Sequence, residues 1–204
     1  SKFIPLTSEA LVRCHYRGAK DTLAVYLRNR PATGIFSGRS LILGGSHSIN
    51  SFSNNSLTGD LSSILLENAP LWVSIMRTPG KKTALLEDFE EKLASITRIT
   101  SSQNVTNISG VPSWYIVLIK QILEYTGKKN LSEVWPSLEV FFHGGISFAP
   151  YREQFSHLIK SDRMQYMETY NASEGFFGLQ DDPSDNSMLL MLDLGIFYEF
   201  IPSD

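Results

Sequence analysis

The segment Thr169-Tyr170-Asn171-Ala172-Ser173-Glu174-Gly175 gathers an aromatic face, hydroxyls, a carboxylate and a glycine into one short stretch. Those are the parts of a nucleotide site. A Tyr ring can stack on a purine, a hydroxyl can bond a phosphate oxygen, and a carboxylate is the hard oxygen ligand that Mg²⁺ takes alongside phosphates. Gly144-Gly145 would let backbone approach a flat ligand without interference from a Cβ, although a tight turn after a strand needs glycine just as much. Pro112, at a helix start, leaves N–H groups near Val111 and Ser113 for a carboxylate or phosphate, as every helix start does. Taken singly, each motif is more often plain architecture. Only their joint placement favours a ligand site.

Other chemistries fit less well. His143-Gly144-Gly145 has the look of an esterase oxyanion loop, but no G-x-S-x-G nucleophile elbow occurs in the chain. His15, His47, His143 and His157 are scattered, no H-E-x-x-H is present, and Cys14 is the one cysteine, which argues against a zinc centre. Neither a P-loop nor a G-x-G-x-x-G after a strand is found.

These residues must be held by secondary structure, and the hydrophobic spacing predicts which. Thr7 or Ser8 caps a helix whose Val12, Tyr16, Ala19, Leu23 and Tyr26 recur at intervals of four and three, until Pro31 stops it. Ser40–Leu43 reads as a buried strand ending at Gly44-Gly45, followed by a long polar stretch, Ser46 to Thr58, of the length that functional loops have. A short helix over 61–68 ends before Pro70. A second is predicted from Thr83, with Leu85, Leu86, Phe89, Leu93 and Ile96 inward and a solvated face containing Glu90, Glu91 and Lys92. Asn104–Ser109 is strand-like, Gly110 turns, and Pro112 opens a helix to about Tyr125 that Gly127 stops. Leu138–Phe142 repeats the strand, Pro150 opens another helix, and a third strand begins at Met164 and terminates at the segment Thr169–Gly175. Met188–Leu192 and Ile196–Ile201 read as a closing hairpin. The pattern predicts an α/β fold, a mixed sheet with flanking helices, and ligands beyond the carboxyl ends of its strands.

Composition bounds the function. The chain has 204 residues, 42% hydrophobic and 19% charged, which excludes disordered and fibrous classes. A net charge of −3 without blocks of like charge gives no electrostatic footprint for nucleic acid or an anionic membrane. Cys14, alone among apolar residues, reads as a small core hydrophobe. No apolar run is long enough to span a bilayer and no signal peptide is evident, so a cytoplasmic protein is expected. The ends look cut, and residues 1–204 read as a single partial domain whose exposed sheet edges would favour self-association.

Tyr170-Asn171-Ala172-Ser173-Glu174-Gly175-Phe176-Phe177-Gly178 resembles the second signature of the Gretchen Hagen three family. These are the auxin-responsive acyl acid-amido synthetases of the firefly-luciferase superfamily of adenylate-forming enzymes. Ser1-Lys2-Phe3-Ile4-Pro5-Leu6-Thr7 is similar to the stretch that follows that family's phosphate loop. Gly110-Val111-Pro112-Ser113-Trp114 and Gly144-Gly145 with Pro150-Tyr151 fall in the family's order. The resemblance covers essentially the whole chain and is closer to bacterial members than to the plant hormone enzymes.

The resemblance implies the central part of a large N-terminal domain, and a ligase that uses ATP and Mg²⁺. A carboxylic acid becomes an acyl-adenylate, and the amine of an amino acid then displaces AMP. It implies that Thr169 and Tyr170 hold adenosine, that Ser173 touches the α-phosphate, and that Glu174 binds the metal. Gly144 and Gly145 would pass close to adenine and the acyl chain, Gly110, Val111 and Ser113 would line the acid pocket, and Lys2 would close the phosphate loop. Catalysis would thus rest on Glu174, Ser173 and Lys2. Asn171-Ala172 departs from the small pair of many plant members. The phosphate loop and the C-terminal domain would lie outside residues 1–204, so this stretch is expected to be inactive alone. The alternatives are a non-catalytic nucleotide or acyl-adenylate sensor and a structural domain whose strand-end motifs are only turns.

Overall fold

The computed structural model describes residues 4–45 and 59–202. Two compact units divide the chain: one from Ser1–Thr33 with Glu168–Asp204, the other Gly34–Met167. The polar stretch 46–58 and Lys2 lie outside the described residues.

The smaller unit opens with α1 (Ser8–Ala10), capped by Thr7, whose hydroxyl accepts from the Ala10 N–H at 3.1 Å. The chain continues through a π turn, Leu11–His15, into α2 (Tyr16–Asn29), and Pro31 follows, as expected. The inward face differs from the expected one. Leu11, Cys14, His15, Gly18, Thr22 and Tyr26 are buried, whereas Val12 is 64% exposed and Ala19 faces solvent. The wider π turn rotates the apolar stripe by part of a turn, which an assumed α repeat from Thr7 cannot follow.

In the larger unit, β1 (Arg39–Leu43) is followed by α3 (Leu61–Glu67), α4 (Leu71–Met76), β2 (Arg77–Thr78) and α5 (Lys81–Ala84). The helix expected from Thr83 is broken: α6 (Phe89–Thr100) starts afresh after Asp88, whose carboxylate accepts from the Glu91 N–H at 2.7 Å. Its buried face, Lys92, Leu93, Ile96, Thr97 and Thr100, takes in Lys92, while Phe89 is exposed.

Then come β3 (Val105–Gly110), α7 (Pro112–Thr126), β4 (Val140–Gly144) and α8 (Arg152–Ile159), close to expectation. Gly127, at φ 66°, ends α7 in the left-handed conformation. β2, β1, β3 and β4 lie side by side in that order, all parallel. Parallel strands buried on both faces read as continuous apolar runs, as Leu41-Ile42-Leu43 and Val140-Phe141-Phe142 do. Their core joins Leu41, Ile96, Ile108, Leu118, Ile119 and Phe141, with Trp135 fully buried and its indole N–H on the Thr100 carbonyl at 2.9 Å.

β5 (Gln165–Ala172) begins in the larger unit and continues into the smaller, where β6 (Gly175–Leu179) and β7 (Leu189–Leu190) add to it antiparallel. Parallel and antiparallel strands with helices make the fold mixed α/β. β5 ends at Ala172, within the segment expected to terminate it, and β6, which the sequence did not announce, pairs with its second half. The expected strand Ile196–Ile201 does not form. β7 pairs with β6 instead, and Phe197, Phe200 and Ile201 are 89%, 74% and 86% exposed. Tyr198 ties that segment back, its hydroxyl donating to the Met191 carbonyl at 3.0 Å, and Ile196 packs against Gly175. No described helix is long and apolar enough to cross a membrane.

Candidate functional site

In the larger unit, the predicted glycine pairs come together at one edge. Leu43 is in register with Gly110, and Gly110 with His143, so Gly44-Gly45, Gly110-Val111 and Gly144-Gly145 all leave the carboxyl ends of adjacent parallel strands. That edge is where open α/β sheets bind ligands. Gly110 has φ 152°, and a Cβ there would meet the Leu43 carbonyl oxygen at 2.5 Å, so only glycine lets the two strand ends lie this close. Tyr115 fastens the same place. Its buried hydroxyl donates to the Leu41 carbonyl at 2.6 Å and accepts from the Ser109 N–H at 3.2 Å. Pro112 is the first residue of α7, and no side chain caps it at Val111, which leaves the first-turn N–H groups near Ser113 for an anionic group. Gly145, exposed at φ 82°, borders Val111.

Sequence reasoning missed Lys92. Fully buried, its ammonium donates to the carbonyls of Gly45 at 3.1 Å and Gly44 at 3.4 Å. Burial lowers its pKa, and the Asp60 carboxylate opposes that shift. Asp60 also caps α3, accepting from the Ser62 N–H at 2.9 Å, while the Ser62 hydroxyl accepts from the Gly45 N–H at 2.7 Å. The Gly44-Gly45 backbone is therefore held from both its carbonyls and its N–H. Spacing did carry the signal, since Lys92, Ile96 and Thr100 fall at intervals of four once the helix is started at Asp88.

His143 is a core group. It stacks on Phe148, centroids 4.2 Å apart, and burial together with the Arg152 charge pushes its pKa down to about 3. A ring so held is neutral and a poor proton acceptor near pH 7.

In the smaller unit, the signature segment is a β-hairpin. Thr169, Tyr170, Asn171 and Ala172 lie on β5, Ser173 and Glu174 form the exposed turn, and Gly175 opens β6. Tyr170 pairs with Gly178 but Asn171 pairs with Phe176, so Phe177 is an extra residue and the ladder is bulged there. Tyr170 is 53% exposed, and its ring lies 5.1 Å from that of Phe177, centroid to centroid. Behind the hairpin, the Cys14 sulfur accepts from the Phe176 N–H at 3.2 Å, and a Cβ on Gly18 would overlap the Phe176 ring. His15 Nδ1 is 2.8 Å from Asn171 Oδ1, and burial lowers its pKa while that contact opposes the shift.

Thr169, Tyr170, Ser173 and Glu174 thus share one hairpin, while Gly110, Val111, Ser113, Gly144 and Gly145 share one sheet edge. No group of three or more His, Cys, Asp or Glu among the described residues could hold a metal ion alone. An exposed carboxylate such as Glu174 suits Mg²⁺, which keeps waters and is held by one or two carboxylates plus substrate phosphates.

The same fold occurs in solved structures. "GH3.15 acyl acid amido synthetase" superposes with a TM-score of 0.65 at 16% identity, over 93% of this chain and 43% of that one. "AtGH3.15 acyl acid amido synthetase in complex with 2,4-DB" gives 0.63 at 17% identity, over 93% and 42%. This chain spans less than half the length of either. No curated protein sequence matches. Residues 1–164 match the GH3 family N-terminal domain, and with the fold in agreement the chain belongs to the GH3 family.

Proposed function

We propose that this chain is part of an acyl acid amido synthetase that joins a carboxylic acid to the amine of an amino acid at the expense of ATP. In the first step a carboxylate oxygen bonds to the α-phosphorus, and the bond to the β-phosphate oxygen breaks with its electron pair on pyrophosphate. In the second, the amine nitrogen bonds to the acyl carbon, the bond from that carbon to the AMP oxygen breaks, and the amine proton passes to solvent. A cytoplasmic setting, with its supply of ATP and amino acids, suits the reaction.

The observation that carries the reading is the hairpin in a chain of this family: an exposed aromatic ring at Tyr170, with Ser173 and Glu174 on the adjoining turn. Tyr170 stacks on adenine, flanked by Thr169, and the Ser173 hydroxyl donates to an α-phosphate oxygen. Glu174, with the substrate phosphates, would hold Mg²⁺, whose charge would offset that of the departing pyrophosphate. Gly144 and Gly145 give backbone access to flat ligand atoms, while Gly110, Val111 and Ser113 border the acid, its carboxylate drawn to the α7 N-terminus. Lys2 is assigned to the phosphates. The related structure that holds 2,4-DB supports a small organic acid as substrate.

ATP–pyrophosphate exchange in the full-length protein, with a pool of carboxylic acids, tests the reading. Mg²⁺-dependent exchange that falls about a hundredfold or more in Glu174→Ala is expected, the scale of losing a main electrostatic contact to the transferring group. Exchange equal in the variant would remove Glu174 from the chemistry. Nucleotide binding without exchange for any acid would leave a sensor module.

A further inference from the structure

The π turn of the first helix brings two side chains, Cys14 and His15, onto the β5–β6 hairpin. Such turns widen the helix by a residue and recur at functional sites. His15 is 2% exposed, its Nδ1 is engaged by Asn171, and its Nε2 is buried without a hydrogen-bond partner among the described residues. Two pairings satisfy the 2.8 Å contact. With Nδ1–H donating to Oδ1, Nε2 is left as an acceptor that goes unused. With the amide turned and Nδ2 donating to a bare Nδ1, Nε2 would carry an N–H and no acceptor. An orphaned buried donor is the rarer and costlier state, so the neutral ring with its proton on Nδ1 is the form that fits.

Asn171 is the residue at which the β5–β6 pairing shifts. A bulge loosens the ladder locally and re-aims the neighbouring side chains, so a strand at a bulge needs another hold. Tyr170 precedes Asn171, and the Ser173-Glu174 turn follows one residue beyond it. We propose that His15 is a positioning residue for nucleotide binding: by holding the Asn171 side chain it fixes β5 at the bulge, and with it the presentation of Tyr170 and of the turn. The inference rests on the reading that this hairpin binds ATP.

The test compares His15→Leu, Asn171→Ala, the double variant and His15→Asn with the unaltered full-length protein, measuring kcat and the KM values for ATP and for the acid in pyrophosphate exchange, beside thermal unfolding. His15→Leu and Asn171→Ala are each expected to raise the KM for ATP about tenfold, the scale of one lost hydrogen bond, with the KM for the acid unchanged. The double variant should be no worse than the poorer single, as for two ends of one interaction. His15→Asn, whose amide N–H can take the place of Nδ1–H, should recover most of the loss. A KM for ATP unchanged in folded Asn171→Ala, a rise shared equally by ATP and acid, or losses that add in the double variant would each overturn the proposal. Should His15→Leu fail to fold, Asn171→Ala and His15→Asn carry the comparison. An unaltered protein that binds no ATP, in exchange or in direct titration, would bring down the reading of the hairpin and this inference with it, whereas a protein that binds ATP with insensitive variants removes only the role of His15.

Discussion

The Tyr115 hydroxyl bonds two neighbouring strands at once, donating to the Leu41 carbonyl and accepting from the Ser109 N–H. Tyr115→Phe keeps the ring and its edge contact with Phe141, 5.0 Å between centroids, and removes only that oxygen. The cost should be about 1–3 kcal/mol, since buried groups that lose a partner pay their full desolvation. Thermal unfolding reads it at roughly 2–4 °C per kcal/mol. An unchanged melting temperature would mean that the Leu41 and Ser109 groups find other partners. Asn171 shows how a residue's role can hide in sequence. Beside a family signature it looks like a mild exchange for a small side chain, yet its partner, His15, lies 156 positions away. No local pattern reports a pairing over that distance.

Helix α6 makes the same point for elements. Its N-terminus depends on Asp88, and Asp88→Ala should cost about 1 kcal/mol, as other N-cap truncations do. Equilibrium urea unfolding would show it as a lower midpoint with unchanged slope. A midpoint equal to that of the parent would mean that water or Glu91 takes over the cap. The strands and helices of the parallel layer were legible because each carries its own punctuation: Gly110 and Pro112 around one turn, Gly127 at a helix end, Gly44-Gly45 and Gly144-Gly145 after strands. The misread elements share a different cause. Apolar runs at 83–96 and at 196–201 fit a regular period, but the break at Leu85–Asp88 and the pairing of β7 with β6 are decided by neighbours rather than by local preference. For the site, residue types were readable within each motif, whereas the inward place of Lys92 follows from spacing only once α6 is started at Asp88, and His15 looks like a solvated residue until its partner on the hairpin is known.

For the molecule as a whole, acid should erode stability through its buried histidines. Burial depresses both His15 and His143, the latter to about 3 against an ordinary 6.5. Above 6.5 both are neutral, folded or unfolded, and neither costs anything. As pH falls below 6.5, unfolded chains bind protons that folded ones refuse, so stability is lost. For His143 the loss continues down to about pH 3, at about 1.4 kcal/mol per pH unit. Urea midpoints from pH 7 to pH 4 should therefore fall less steeply in His143→Phe than in the parent. Parallel curves would contradict the assignment. The division of the chain also governs the order of its birth. Gly34–Met167 is contiguous, whereas the smaller unit is assembled from two stretches that flank it. On a ribosome making roughly 5–20 residues per second, the first helix therefore waits through some 130 residues, on the order of ten seconds, for its hairpin to emerge. During that interval Cys14 and His15 are without their hairpin partners, the Phe176 N–H and the Asn171 side chain, and the stretch that will meet them is still inside the exit tunnel or not yet made.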